Sequence, residues 1–193
     1  MMPTQQEHAA AREFYGLIIQ KLTNEKGVHA ETAIAAAGRM AGTLLLRSLQ
    51  LPLETLEPGT PVFSDAANEK GPALVGTLGE ALSQMNVPFD PQKLEASAAN
   101  QGNAPLLSVI ATQELVEKEM HQIRQKYQLS NEAAAHAAAI TTAFMVQKCA
   151  QLVDPHIGFK IAAYSFVEGA KTVPQRLAIS TNEESKKPWY KIW

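Results

Sequence analysis

The stretch that constrains this chain most runs from Gly27 to Gln50, GVHAETAIAAAGRMAGTLLLRSLQ. Ile34, Gly38, Ala41, Leu45 and Leu49 recur at the three-and-four spacing of one helical face. Ala37, Met40, Leu44 and Ser48 widen that face, and Ala35, Gly38 and Gly42 lie on its flank. What stays polar is a narrow ribbon of Thr32, Arg39, Thr43, Arg47 and Gln50. A helix that is apolar nearly all round is a buried helix. Gly38 and Gly42 each cost about 1 kcal/mol of helix propensity against alanine. The compensation expected is close approach of a second helix, since Gly38-x-x-x-Gly42 spaces two residues without bulk on one face. Arg39 and Arg47 interrupt the apolar run, so a membrane span is not expected.

Around this central helix the sequence predicts an all-α, single-domain helical bundle of about six or seven helices over residues 1–177. Residues 178–193 read as a polar linker and an aromatic C-terminal tail. At 193 residues one domain is the default. The net charge of −2 carries no basic block, which argues against nucleic-acid binding. Cys149 is the single cysteine, which excludes an internal disulfide and a multi-cysteine zinc site. It is expected as a small buried apolar residue in an alanine-rich helix. The N-terminus lacks a basic region followed by an apolar run, so the expected location is cytoplasmic, with no membrane contact.

Before the central helix, Thr4 to about Thr23 predicts a helix opened by a Thr4–Glu7 capping box. Asn24–Gly27 predicts a tight connection between antiparallel helices, with Gly27 in a left-handed conformation. Gln50–Gly71 holds three prolines and no periodicity. Its leucines, Val62 and Phe63 are expected to pin it across the helices, and Pro61–Ser64 could pair locally. A connection that long is a candidate lid or contact loop.

Pro72 is expected to open the next helix and Asp90-Pro91 a short one through Ala98, with a turn at Asn100–Asn103. Pro105 is expected to open a helix reaching Tyr127. Its inward face is read as Val109, Ile110, Val116, Met120, Ile123 and Tyr127. Glu114, Glu117, Lys118, His121, Arg124 and Gln125 are assigned to water. Ser130 or Asn131 caps a second alanine-rich helix, expected to pack closely on the central one. Asp154-Pro155 starts a last helix that stops before Pro174.

His29 and Glu31 stand at the start of the central helix. Glu31 there complements the helix dipole; the alternative is that His29, Glu31 and Arg39 line a ligand pocket against the Gln50–Gly71 loop. Arg39 and Arg47, eight residues apart, each need a partner if buried. The expected partner is a carboxylate on a neighbouring helix, and the alternative is an anion site. Glu117 and His121 form an i,i+4 pair, but HExxH is absent and further ligands are lacking, so neither a metal site nor a cofactor is expected. His136, between two alanine triplets, is expected to be partly buried with a backbone partner. Both tryptophans lie in the last five residues, WYKIW. Trp189, Tyr190 and Trp193 are expected either to dock on their own chain or to bind a partner, because such residues dominate protein contacts.

Two function classes fit these residues. One is a non-enzymatic helical interaction or adaptor protein that self-associates or takes a protein partner. The other is a small-ligand-binding protein or enzyme, with its pocket between the central helix and the 50–71 loop.

Overall fold

The computed structural model describes residues 3–88 and 104–177. Those residues form six helices: α1 (Gln5–Leu22), α2 (Ala30–Ser48), α3 (Asp65–Gln84), α4 (Val109–Lys126), α5 (Asn131–Cys149) and α6 (Pro155–Ala170). The all-α bundle expected from the sequence is the architecture observed. The expected helix at Asp90–Ala98, the turn at Asn100–Asn103, the linker and the aromatic tail lie outside the described residues.

Local chemistry starts each helix. Thr4 and Glu7 close a reciprocal capping box on α1. Ser64, Ser108 and Ser130 each accept a backbone N–H at the start of α3, α4 and α5. Asp154 caps α6 with Pro155 at its first position. Gly27 takes φ +92°, closing the Asn24–Gly27 turn as expected. Two prolines depart from expectation. Pro72 lies inside α3, because the Ser64 cap starts that helix earlier. Pro72 and Asn68 are both exposed, so water can take the hydrogen bond that Pro72 removes. Pro105 precedes α4, whose cap is Ser108.

Helix α2 is the centre: Ala30 through Leu46 are all buried. Helix α5 is the second largely buried rod and lies antiparallel to α2, with Asn131 near Arg47 and Cys149 near Glu31. The tightest approach, however, is made by α6. Gly38 faces Ala162 and Ser165, and Gly42 faces Phe166, Gly169 and Ala170. Gly169 in turn sits against the backbone of Arg39 and Thr43. A glycine on each side lets the two backbones touch. The pairing advances in step along both chains, so α2 and α6 run in the same direction.

The remaining contacts complete an up-and-down order. Thr141 and Phe144 of α5 meet Ala11 and Tyr15 of α1, so those helices are parallel. α1 therefore opposes α2, as the short Asn24–Gly27 link predicts. α3 lies along α5 through Lys70–Glu132 and Thr77–His136. The partner of the half-buried His136 is thus the Thr77 hydroxyl rather than a backbone group. α4 runs with α2, Thr43 facing Gln113 and Arg47 facing Glu117. The 49–64 connection is pinned by Leu51, Leu53 and Val62, but not by Leu56 or Phe63, which are exposed. Leu49, Leu51 and Leu53 pack on Leu46, Val62 and Val173. Residues 59–62 pair with 171–173 through Val62 N–H to Lys171 O and Val173 N–H to Thr60 O. None of the described helices is long and apolar enough to cross a membrane.

Candidate functional site

The polar ribbon of α2 is covered from Thr32 to Arg47, and only Gln50, beyond the helix end, is exposed. It is roofed by α4, by Leu106 and Leu107 ahead of α4 and by Gln175, and it forms an internal hydrogen-bonded seam. Leu106 N–H donates to Thr32 Oγ1, which lies 2.9 Å from His29 Nδ1. The same Nδ1 accepts from Thr32 N–H and so caps α2. That acceptor role places the ring proton on Nε2, which lies 3.5 Å from Glu31 Oε2. Arg39 donates from Nε to Glu168 at 2.8 Å and from Nη1 to Leu107 O. Thr43 accepts from Gln113 at 3.0 Å. Arg47 donates to Glu117 at 2.5 Å and to Gln175 O at 2.6 Å. Each arginine therefore pairs with a glutamate of a neighbouring helix, the simpler of the two expectations.

The structure brings His29 and Glu31 together. Arg39 lies ten residues farther along α2, about 15 Å up the axis. None of the three lines either of the two cavities described below. Cys149, half-buried at the end of α5, has Glu31 as its neighbouring charge. Burial and then Glu31 both raise its thiol, so this corner holds a protonated Cys149 rather than a nucleophilic thiolate.

A cleft does lie between α2 and the following loop, but at the other end of the helix. It has a volume of about 540 Å³. Leu51, Leu53 and Leu56 of the loop, with Val173 and Pro174 opposite, supply apolar walls. Arg47, His121, Asn131, Gln175 and Arg176 supply polar ones, with Gln50 and Glu54 at the loop side.

Behind that lining, the reading of α4 needs correction. Glu117 was assigned to water, yet it is 2% exposed. Thr112, Gln113, Val116, Glu117 and Met120 form the inner face, and His121 and Arg124 are half-buried beside it. The helix is turned so that its polar stripe meets the polar ribbon of α2. Glu117, His121 and Arg124 are spaced by four and three residues and so share one face. Burial raises the Glu117 carboxyl, opposed by the hydrogen bond and charge of Arg47. Burial lowers the His121 imidazole, and the Arg124 and Arg47 cations lower it further. His121 is thus a neutral ring beside two guanidinium groups. Three buried atoms here, Glu117 Oε2, Arg124 Nε and Asn131 Oδ1, have no partner among the described residues. Such atoms are uncommon in folded proteins.

No group of three or more His, Cys, Asp or Glu side chains is placed to hold a metal ion among the described residues. A second concavity of about 380 Å³ lies between α3 and α6, lined mainly by Leu74, Val75, Pro72, Ala163, Phe166 and Val167. Trp189, Tyr190 and Trp193 lie outside the described residues. Nothing local in the sequence connects Arg47 with the Glu117–His121 pair, 70 residues away. The connecting signal was an acidic residue in mid-helix on α4 and an arginine in an otherwise apolar helix. No family model, curated protein or solved structure matches this chain.

Proposed function

We propose that this domain binds a small organic ligand in the cleft between the C-terminal end of α2 and residues 50–56. The observation that carries the reading is the combination of leucine walls with Arg47, His121 and Asn131, whose buried Oδ1 has no partner among the described residues. Binding sites are concave and mostly apolar, with a few convergent polar groups, and 540 Å³ falls in their usual size range. Native mass spectrometry of the purified chain, followed by a fragment screen observed by protein NMR, tests it. The expected result is a retained small molecule, or hits that shift the signals of His121, Asn131 and Leu53. Hits that gather elsewhere, or none at all, would refute it.

A second reading is the interaction protein, self-associating or adaptor-like. It is favoured by the apolar groove between α3 and α6, beside which Tyr164 and Val167 are 68% and 50% exposed. Phe63, just ahead of α3, is 92% exposed. Isolated exposed apolar residues are ordinary, but a groove with adjoining aromatic side chains suits a second copy of this chain. Sedimentation of the full chain, of a Tyr164→Ser/Val167→Ser variant and of a chain lacking Pro188–Trp193 tests it. A monomer in all three cases would remove self-association.

A further inference from the structure

We infer that the ligand of this cleft is a monocarboxylic acid with an apolar body, its carboxylate on Arg47 and His121 and its body along Leu51, Leu53 and Leu56. The inference rests on the binding reading above and adds the chemical class. The first argument is donor arithmetic. A guanidinium carries five N–H donors. Arg47 donates twice to the protein, once to Glu117 and once to Gln175 O. Three donors remain on a side chain that is 21% exposed and lines the cleft. A planar fork of that kind matches a carboxylate in both charge and geometry.

The second argument is the field. Arg47 and Arg176 line the cleft, and Arg124 stands behind His121. The Arg124 and Arg47 cations face His121, and both lower its imidazole. Against them stand Glu54 on the loop, Glu114 bonded to Gln175, and Glu117. Glu117 is the nearest carboxylate, and its burial disfavours its charged form. Among the charged side chains that line the cleft, Arg47 and Arg176 stand against Glu54 alone, so the lining favours a negative ligand group. His121, neutral, can donate one N–H to it.

The third argument is the wall. Leu51, Leu53 and Leu56 face the cleft from one short segment, held by the turn hydrogen bonds Leu53 N–H to Leu51 O and Leu56 N–H to Leu53 O. An inorganic anion would leave them wet. A ligand with several methylene groups would cover them, each contributing about 0.8 kcal/mol when buried.

The test is an NMR titration of the whole chain at neutral pH with hexanoate, hexanamide, hexylamine and acetate. Hexanoate is expected to shift the His121 ring and Arg47 Nε–H signals, and to bind at least about tenfold more tightly than hexanamide. Acetate should shift the same signals with weaker affinity, and hexylammonium should not. Two exposed lining residues provide opposite-signed variants that leave the core untouched. Gln50→Glu should weaken hexanoate about threefold and Glu54→Gln should tighten it by a similar factor, both effects shrinking in high salt. Hexanamide or hexylammonium binding the cleft as well as hexanoate would overturn the carboxylate assignment and leave the binding reading standing. So would hexanoate affinity that ignores both variants. Acetate equal to hexanoate would overturn the apolar body. If none of the four compounds shifts a cleft signal while the fragment screen finds hits there, the class alone is wrong; if both fail, the cleft is not a ligand site.

Discussion

Gly42→Ala and Gly76→Ala are the same chemical change in two helix interiors, and the structure gives them opposite signs. Each adds one methyl group and gains about 1 kcal/mol of intrinsic helix propensity. At Gly76 in α3 a new Cβ meets nothing within 4 Å, so the gain is kept. At Gly42 in α2 it would lie 2.6 Å from Ala170 N and 3.0 Å from Gly169 C, and closer still to Phe166 O. All three are backbone atoms of α6, so no side-chain rotation relieves the clash. Ordinary contact begins near 3.4 Å, so the helices must part by at least 3.4 − 2.6 = 0.8 Å. Taking about 40 atom pairs across the crossing at about 0.15 kcal/mol each, a gap of that size forfeits a quarter to a half, or about 1.5–3 kcal/mol. Overpacking strain of about 1–3 kcal/mol comes with it. Set against the propensity gain, Gly42→Ala should destabilise the fold by about 1.5–5 kcal/mol, lowering Tm by roughly 3–20 °C. Urea denaturation followed by far-UV circular dichroism reads both variants against wild type. The reasoning fails if Gly42→Ala is as stable as wild type while Gly76→Ala gains stability, because the α2–α6 crossing would then have room to spare.

Four further outcomes concern the seam and its ends. Arg47→Met leaves the Glu117 carboxyl buried without its cation and should cost about 3–5 kcal/mol, most of it recovered in the Arg47→Met/Glu117→Leu double variant; equal stability of the single and double variants would contradict the pairing. Burial raises Glu117, so its favourable contribution is complete below the ordinary carboxylate range and is lost as pH rises through the raised value. The Arg47→Met variant should therefore weaken as pH climbs from the carboxylate range to neutrality, and a flat urea midpoint would refute this. Cys149 should react with iodoacetamide more slowly in the folded chain than in urea, since burial and Glu31 both hold it as a thiol; a faster folded rate would overturn the assignment. His29→Ala removes the α2 cap and should cost about 1 kcal/mol without moving the NMR signals of His121 or Asn131, whereas a shift there would link two ends that the structure separates.

Much of the fold was legible because it rests on local chemistry. Thr4 with Glu7, Ser130 and Asp154-Pro155 satisfy or replace backbone N–H groups within a few residues, so the sequence carries the whole interaction. Proline was a weaker guide. Pro72 has the look of a first-turn residue, but a hydroxyl cap at Ser64 and an exposed setting allow it inside α3. The identity of the helix seated on Gly38 and Gly42 was also out of reach. Both α5 and α6 lie against α2, and only α6 carries Gly158, Ala162 and Gly169 at spacings that let its backbone descend onto the glycines.

The sequence alone determined that a rod poor in side-chain bulk lies at the centre of an all-helical chain, because the absence of atoms at Ala33, Ala37, Gly38 and Gly42 is a property of those residues wherever they stand. Tertiary structure alone decided that Glu117 is buried, that Arg47 meets it, and that a cleft with polar and leucine walls opens at the far end of α2 from His29. Polar periodicity marks which residues need a hydrogen-bonding partner, and water and a neighbouring helix satisfy that need equally. Which of the two supplies it depends on how α4 is rotated against α2, and that rotation is set by groups about 70 residues apart in the chain.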